Sequence, residues 1–399
     1  MRSGTGRRMG GGWHVGRRRL PAALTFAALL AACTREPPPE LVDPDRSSPS
    51  PEATVRVVVL RPGSHPDFIP RVLPAEQGLR LAFDEGPVGS PAPVAVEVEP
   101  VDVSAPPEEV ARRLGELAAD PAVVAAVLGP GWRPPAELLA SLEGAGLATV
   151  SITPLGPGGG GAWRRLVPTL GAEGTVLAGF LRELPAADDG VCLSGGGRDG
   201  PERAEQVARR IRRELRGGIP VRRLPGAGPP ASVVARVAAV GCGAVVWLGG
   251  AEGAAAVRRA LSEHGLRSVL LLGTDRVKDP RFAELAGALG EGTVVACPCA
   301  DLSLSTEPRA LRFINAYADA FGAAPGIFAV EGYDAGRLLL RAIAEGGPSR
   351  GGVARALAGI EIHEGLGAVY RFGPDGELLA PGVRLYRDEG GRWVAVPGP

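Results

Sequence analysis

The chain offers few side chains whose types and spacing would support catalysis. Its four histidines are scattered, and the sequence has no H-E-x-x-H or C-x-x-C spacing that would indicate a metal site. The strongest enzymatic signal is a G-x-G-x-x-G match at 195–200, between a predicted strand and a predicted helix, as in dinucleotide-binding folds. No second catalytic set accompanies it, and a permissive strand–helix turn in a glycine-rich chain is the simpler explanation. We therefore predict a protein without enzymatic activity, metal or cofactor.

The N-terminal residues indicate export and lipid attachment. Three arginines at 17–19 precede an apolar run from Leu20 to Ala32, which is too short to cross a hydrocarbon core of ~30 Å. The run ends in L-A-A-C, which looks like a bacterial lipobox, with an ordinary buried cysteine as the alternative reading of Cys33. We predict a signal peptide at 1–32, a disordered proline-rich tether at 33–53 and a lipid anchor on Cys33, which holds the protein at the extracytoplasmic face of the cell membrane.

Length and charge limit the number of domains and the classes of function that the chain could have. The chain has 399 residues, 45% of them hydrophobic, which allows two domains with sizeable cores. The formal net charge is zero, but six of the 44 basic residues lie in the leader, so 38 basic and 44 acidic residues follow it. A mildly acidic body lacks the basic surface of a nucleic-acid binder, and we exclude that class.

Short apolar runs alternate with amphipathic segments from Thr54 onward, which predicts an α/β fold of two doubly wound (Rossmann-like) lobes. The apolar runs are typical of parallel strands that are covered on both faces. The predicted strands are Val55–Leu60, Val94–Val98, Val123–Leu128, Leu147–Ser151, Gly190–Ser194, Ile219–Arg222, Ala244–Leu248, Val269–Leu272 and Thr293–Ala296. Helices are predicted at 108–117, 202–215 and 306–321, the last with Leu311, Ile314, Ala318 and Phe321 on one face. Ligands collect at the carboxyl ends of such strands, so two lobes side by side form a cleft.

Several stretches occur in an order and spacing typical of one family. They are Gly78–Asp84, V-L-G-P at 127–130, L-A-T-V-S at 147–151, G-T-D at 273–275 with D-P-R-F at 279–282, Phe313–Tyr317 with F-G at 321–322, G-Y-D-A at 332–335, and Gly365–Phe372 with D-G at 375–376. The body, about residues 54–395, therefore resembles the type I periplasmic binding proteins, specifically the branched-chain amino-acid class that serves ABC importers.

This resemblance implies a Venus-flytrap protein whose two lobes are joined by three crossovers and close on a small solute. Lobe 1 is expected at 54–165 plus 300–370, and lobe 2 at 166–299 plus 371–399. The implied partners are a small-molecule solute and an ABC permease in the membrane, and a monomer is expected.

The family holds a zwitterion, and the resemblance suggests which positions do so here. Hydroxyls and backbone N–H groups take the carboxylate, and an acidic side chain from the other lobe takes the ammonium. The matching or neighbouring positions are Trp132, Arg133, Ser151, Thr153, Asp199 and Asp275. Only Asp275 fits the pattern fully, because Arg133 stands where a serine is expected and Leu155 stands where a threonine is expected. Either Arg133 clamps a carboxylate, or Trp132 and Arg133 are lobe-edge residues that fill a site no longer used.

Four cysteines other than Cys33 fall in the predicted second lobe. Cys192 and Cys242 lie on or beside strands that would be neighbours, so a bridge between them is possible. Cys297 and Cys299 flank one proline in an extended segment, which is poor geometry for pairing with each other. We expect buried free thiols, with the first bridge as the alternative.

Two functions from different classes compete. The leading prediction is a lipid-anchored solute-binding protein of an ABC importer, for a small amino- or carboxyl-bearing solute. The alternative is an envelope interaction or regulatory lipoprotein on the same scaffold. An internal pocket lined by Arg133, Ser151, Thr153 and Asp275 would favour the first, and a collapsed or apolar cleft would favour the second.

Overall fold

The computed structural model describes residues 53–63, 68–86, 94–195, 201–224, 229–380 and 382–396. The predicted signal peptide, Cys33 and all but the last residue of the predicted tether lie outside these described residues. Asp199 and most of the glycine-rich match at 195–200 lie outside them as well. None of the described helices is both long and apolar enough to cross a membrane.

The described residues form fourteen strands and eleven α-helices. The strands are β1 Ala53–Arg61, β2 Val94–Asp102, β3 Val123–Leu128, β4 Ala148–Ser151, β5 Trp163–Arg165, β6 Val191–Ser194, β7 Val221–Arg223, β8 Ala244–Trp247, β9 Leu270–Gly273, β10 Val294–Cys297, β11 Ile362–Glu364, β12 Val369–Arg371, β13 Arg384–Glu389 and β14 Arg392–Val396. The helices are α1 Ile69–Asp84, α2 Pro107–Ala119, α3 Ala136–Gly144, α4 Leu170–Arg182, α5 Pro201–Glu214, α6 Pro230–Val240, α7 Ala251–Glu263, α8 Pro280–Ala286, α9 Pro308–Phe321, α10 Ala329–Gly346 and α11 Arg350–Gly359.

Two separate sheets define two lobes, as predicted. The first sheet is entirely parallel, in the order β2-β1-β3-β4-β5. The second has the order β14-β13-β10-β9-β8-β6-β7, with a parallel body and an antiparallel edge formed by β13 and β14. The central strands β3, β4, β6 and β8 are buried at every residue because helices cover both faces, which accounts for their continuous apolar sequences.

The chain passes between the two lobes three times. It leaves the first sheet after β5, returns after β10 to place α10 and α11 against the first lobe, and crosses again after β12 to add β13 and β14 to the second sheet. Three crossovers are what the family resemblance implies.

Two glycines bring α1 and α10 into close contact. A Cβ on Gly78 would lie 2.0 Å from the carbonyl oxygen of Ala329, and one on Gly332 would lie 1.9 Å from that of Ala75. The two helix backbones therefore pack directly against each other, and both glycines belong to the stretches that carry the family resemblance.

The nine predicted strands are confirmed, with ends shifted by a few residues, but five strands were not predicted. The missed strands are β5, β11, β12, β13 and β14. Each is short, charged or at a sheet edge, so it lacks a continuous apolar run.

The predicted face of α9 is wrong by about one residue. Leu311 is 44% exposed, whereas Ala310, Phe313 and Tyr317 are buried. The two aromatic rings, with centroids 5.7 Å apart, are the larger apolar groups, and their packing sets the rotation of the helix.

The expectation of free thiols is also wrong. Cys192 and Cys242 form a disulfide with a Cα–Cα distance of 5.8 Å, because β6 and β8 are neighbours. Cys297 and Cys299 form a second one, at 5.1 Å. The chain bends at Pro298 as it leaves β10, so the segment is not extended and the two side chains meet.

Candidate functional site

A cluster of buried charged residues occupies the interface between the lobes at the carboxyl edge of the second sheet. It consists of Arg71 from the first lobe and Glu173, Arg203 and Asp275 from the second, and we call it the interlobe charge cluster. All four residues are between 0% and 8% exposed. Asp275 lies two residues after the end of β9, and the other three lie in the first turns of α1, α4 and α5. The topology therefore brings together residues that are far apart in sequence.

Asp275 is held by two arginines. Arg71 Nη2 donates to the backbone carbonyl oxygen of Asp275 at 2.9 Å, and Arg71 Nε lies 3.7 Å from Asp275 Oδ2. Arg203 Nη2 donates to Asp275 Oδ1 and lies 3.5 Å from Glu173 Oε1. The predicted ammonium-binding carboxylate is thus already paired within the protein, from both lobes.

Burial shifts the pKa of two residues of this cluster. Burial, with a smaller contribution from the nearby Asp275 carboxylate, raises the pKa of Glu173 well above its usual range, although Arg203 and Arg71 oppose the shift. Burial also lowers the pKa of Arg71 to about 10, with Asp275 opposing, so this guanidinium stays charged at neutral pH. Arg276 is buried beside the cluster, with its Cζ 5.9 Å from the ring centroid of Phe68.

Ser151 and Thr153 are fully buried and bonded within the loops of the first lobe. Thr153 Oγ1 donates to the carbonyl oxygen of Trp132 at 2.7 Å, and Ser151 Oγ lies 3.4 Å from the carbonyl oxygen of Thr153. Arg165 supports the same loop by donating to Thr153 O at 2.6 Å and pairing with Glu377. The Thr153 hydroxyl therefore ties the 129–135 loop to the 151–156 loop, whereas the Ser151 hydroxyl bonds within the 151–156 loop.

Arg133 lies at the surface rather than in a buried clamp. Its Nη2 is 2.9 Å from Glu202 Oε1, and the two side chains are 45% and 60% exposed. Because Glu202 opens α5, this pair bridges the two lobes at the rim of the cleft. Of the predicted site residues, the structure places Asp275 in the charge cluster and Trp132, Ser151 and Thr153 in the first lobe's loops.

Three members of the cluster, namely Arg71, Glu173 and Arg203, were not predicted from the sequence. One signal was available for the two arginines. Each is the third residue of its helix, where the positive end of the helix dipole disfavours a cation. An arginine there needs a compensating acid, and Asp275 supplies it.

The large cavities of the described residues lie elsewhere. One of about 850 Å³ is lined by arginines of α5, one of about 780 Å³ lies beside α10 and β11, and one of about 630 Å³ lies along the crossover at 300–304. Arg133, Ser151, Thr153 and Asp275 line none of these three. The cleft is filled by charged side chains, and the four residues line none of these cavities, which is closer to the collapsed cleft expected to favour the alternative function.

Buried carboxylates fix the crossover segments. Asp334 accepts hydrogen bonds from the N–H groups of Leu366 and Gly367 and from the hydroxyl of Tyr370, at 2.6, 2.9 and 2.7 Å. Glu331 accepts from the N–H of Ala300 at 2.6 Å. Both acids lie on α10, so this helix of the first lobe orients two of the three crossovers.

Catalytic arrangements find no support in the described part of the chain. No group of three His, Cys, Asp or Glu residues there is placed to hold a metal ion. A G-x-S-x-G match at 347–351 is not a nucleophile elbow, because Ser349 lies between two helices and its hydroxyl accepts from Gly352 N at the start of α11.

Two parallel-sheet lobes, three crossovers and a charged interlobe site define a bilobal binding protein. The chain belongs to the periplasmic binding protein family, whose model matches residues 74–391. This family consists of solute-binding proteins of ABC transporters and not of enzymes, which confirms the prediction of no enzymatic activity.

Solved structures agree with the assignment of the type I fold. A leucine binding protein, LivK, from Thermotoga maritima is 19% identical with a TM-score of 0.69, over 86% of this chain and 98% of that chain. The branched-chain amino-acid binding protein LivJ from Streptococcus pneumoniae, in complex with isoleucine, is 19% identical with a TM-score of 0.70, over 87% and 100%. A fatty acid ABC transporter substrate-binding protein from Thermomonospora curvata is 17% identical with a TM-score of 0.70, over 87% and 92%. Among curated proteins, none matches the chain.

Proposed function

We propose that this protein is the extracytoplasmic solute-binding component of an ABC importer, and that it holds a small amino- or carboxyl-bearing solute between its lobes. In this proposal the lobes comprise 54–165 with 300–370 and 166–299 with 371–399. The single observation that carries it is the interlobe charge cluster, in which Arg71 of one lobe meets Asp275 of the other. A charged solute that contacts both lobes there favours the closed state by its differential affinity.

The names of the similar solved structures support the proposed chemical class of the solute. Their names include leucine, isoleucine and a fatty acid, all of which carry a carboxylate. A carboxylate is also the group that a guanidinium recognises best, through two parallel hydrogen bonds.

Thermal unfolding of the full-length chain, purified in mild detergent, tests the proposal. The panel contains amino acids, amides, short peptides, polyamines and small carboxylates. A solute at 100 times its dissociation constant stabilises the native state by about 2.7 kcal/mol, which raises the melting temperature by a few degrees. The shift should be lost in Arg203→Gln and retained in Arg209→Gln, an exposed arginine of the same helix. A panel in which no solute raises the melting temperature contradicts the proposal.

We further propose that Cys33 carries the lipid and that the 34–52 segment links the lobes to the membrane. The support is the L-A-A-C sequence after a short apolar run. Cys33→Ser should move the protein from the membrane fraction to the soluble fraction. Retention in the membrane fraction would contradict this assignment.

One observation favours the alternative function, an envelope interaction protein on the same scaffold. Asp275 and Arg203 already satisfy each other, and the three large cavities are lined by other residues. In that case Arg203→Gln should lower the melting temperature, and no solute of the panel should raise the melting temperature of the unsubstituted protein.

A further inference from the structure

We propose that an arginine-rich face of the second lobe docks on an anionic lipid surface. The face is formed by Arg209 and Arg213 of α5 and by Arg216 in the turn that follows this helix, and we call it the α5 arginine stripe. The docking is separate from solute binding. From the proposed function it takes only the lipid anchor, which keeps the lobes beside a membrane.

Positive charge is concentrated around α5. Residues 201–223 contain eight arginines and three acidic residues, whereas the whole chain after the leader has 38 basic and 44 acidic residues. The cavity of about 850 Å³ along this helix is lined by five of these arginines and by no acidic residue. Such a groove on a mildly acidic body produces a local positive potential, which attracts anions.

The acidic residues of α5 are already paired with arginines outside the stripe. Glu205 Oε1 lies 2.5 Å from Arg212 Nη2, and Glu214 Oε1 lies 3.1 Å from Arg210 Nε. The third acid, Glu202, belongs to the rim pair that joins the two lobes. The three side chains of the stripe are exposed, and within the described part of the chain they have no hydrogen-bond or ion-pair partner. The stripe is therefore available to an external anion.

The arginines of α5 do not serve the stability of the helix itself. Arg209 is followed three and four residues later by Arg212 and Arg213, and like charges at these spacings repel each other on a helix surface. The helix dipole favours cations in the last turn, which accounts for Arg212 and Arg213 but not for Arg209. An opposing anionic surface relieves the repulsion within such a row of guanidinium groups.

The position of the proposed anchor is the reason for choosing a lipid surface as the partner. Cys33 lies 20 residues before Ala53, the first residue of β1, and 20 residues span at most ~70 Å. A folded body of about 340 residues has a radius of gyration of about 20 Å, so this length allows any face to reach the membrane. Each arginine beside an anionic membrane strengthens binding about fivefold, and three together about a hundredfold. That gain is too small to retain an unanchored protein, but it is sufficient to orient an anchored one.

Arginine modification of the full-length chain in vesicles tests the docking. The protein is reconstituted in phosphatidylcholine vesicles or in vesicles of phosphatidylcholine and phosphatidylglycerol at a ratio of about 7:3. Modification of each arginine by phenylglyoxal is followed by mass spectrometry. We expect the three arginines of the stripe to react about tenfold more slowly in the anionic vesicles, and about 1 M NaCl to abolish this protection. Arg236, an exposed residue of α6 on the opposite face of the second sheet, should react equally in both kinds of vesicle.

A triple substitution tests the stripe as a unit. Arg212 lines the same groove, so in the unsubstituted protein it should also react more slowly in the anionic vesicles. In R209Q/R213Q/R216Q this protection of Arg212 should be lost, whereas the matched variant Arg236→Gln should retain it. Circular dichroism of each variant confirms that it is folded before the modification rates are compared.

The outcomes separate the docking from the proposed function. Equal reactivity of the stripe in the two kinds of vesicle, or equal protection of Arg236, would overturn the docking and leave solute binding and the anchor standing. Protection of the stripe by soluble polyglutamate but not by the anionic vesicles would also overturn it, and would indicate an acidic protein as the partner. Loss of the protein from both kinds of vesicle would overturn the anchor and the docking together. Protection of the stripe in the anionic vesicles alone supports the docking.

Discussion

Arg71, in the first turn of α1, donates to the carbonyl oxygen of Asp275 at 2.9 Å, and this contact joins two lobes across 204 residues of sequence. A buried arginine that bridges two lobes links the position of one lobe to that of the other. Because its partner also binds Arg203, the contact belongs to a network and is not an isolated pair.

We predict that Arg71→Gln destabilises the protein by about 3 kcal/mol, because it removes one of the two cations that compensate a buried carboxylate. The measurement is the free energy of unfolding from chemical denaturation at neutral pH. The exposed substitution Arg209→Gln is the matched control and should change this free energy by less than about 0.5 kcal/mol. Equal effects of the two substitutions would show that the cluster does not stabilise the closed arrangement.

Glu331 should make the protein less stable as the pH rises. Burial raises the pKa of Glu331 to about 7 from its usual value of 4.5, with the N–H of Ala300 opposing the shift and Asp334 adding to it. The native state therefore holds a proton that the unfolded state releases above about pH 4.5, so stability falls between about pH 4.5 and pH 7 and is constant above it. The expected loss from Glu331 is about 3 kcal/mol.

The variant Glu331→Gln tests this dependence. Its amide oxygen can still accept from Ala300 N, and Glu331 Oε2 has no hydrogen-bond partner among the described residues. We predict that the variant is more stable than the unsubstituted protein at pH 8 and nearly equal to it at pH 4. Glu345→Gln, at an exposed site of the same helix, should preserve the original pH profile. A Glu331→Gln profile as steep as that of the unsubstituted protein would refute the assignment.

Replacing a glycine by a larger residue where α1 and α10 cross should destabilise the protein. Gly78→Ala places a methyl group 2.0 Å from a backbone oxygen, so the helices must separate, and we expect a loss of about 3 kcal/mol or more. Gly115→Ala on α2, where nothing lies within 4 Å, should instead stabilise the protein by up to about 1 kcal/mol through helix propensity. Thermal and chemical unfolding of the two variants measure both effects, and a harmless Gly78→Ala would contradict the close crossing.

The two disulfides should differ in their contribution to stability. Cys192 and Cys242 are 50 residues apart, so their bridge restricts the unfolded chain by about 4 kcal/mol on the loop-entropy estimate. Cys297 and Cys299 are 2 residues apart, and the same estimate gives only about 1–2 kcal/mol. Unfolding of the double variants C192A/C242A and C297A/C299A measures the difference. A larger loss in the second variant would show that its bridge stabilises the crossover through native contacts.

The sequence was sufficient to predict the lobes, because each central strand is a run of apolar residues bounded by glycine or proline. It was not sufficient for β5, whose sequence is W-R-R. Arg164 can be buried because its Nε donates to the carbonyl oxygen of Ile360 at 2.8 Å. Arg165 can be buried because its Nε lies 2.7 Å from Glu377 Oε2. These partners are about 200 residues away in sequence. The local pattern of polar and apolar residues therefore does not indicate that the two arginines are buried.

The site was predicted less well for the same physical reason. Asp275 could be found because the family resemblance places the ammonium-binding acid at this position, two residues after β9. Arg71 and Arg203 lie on different helices, and only the packing of two lobes brings them to one carboxylate. Their position in the first helical turn, against the dipole, is the local signal that would have identified them.

The structure of the complex with the solute that most raises the melting temperature tests the central claim most directly. We expect the solute between the lobes, in contact with a residue of each lobe in the interlobe charge cluster. A solute bound outside the cleft, in one of the other cavities, would contradict the proposed function.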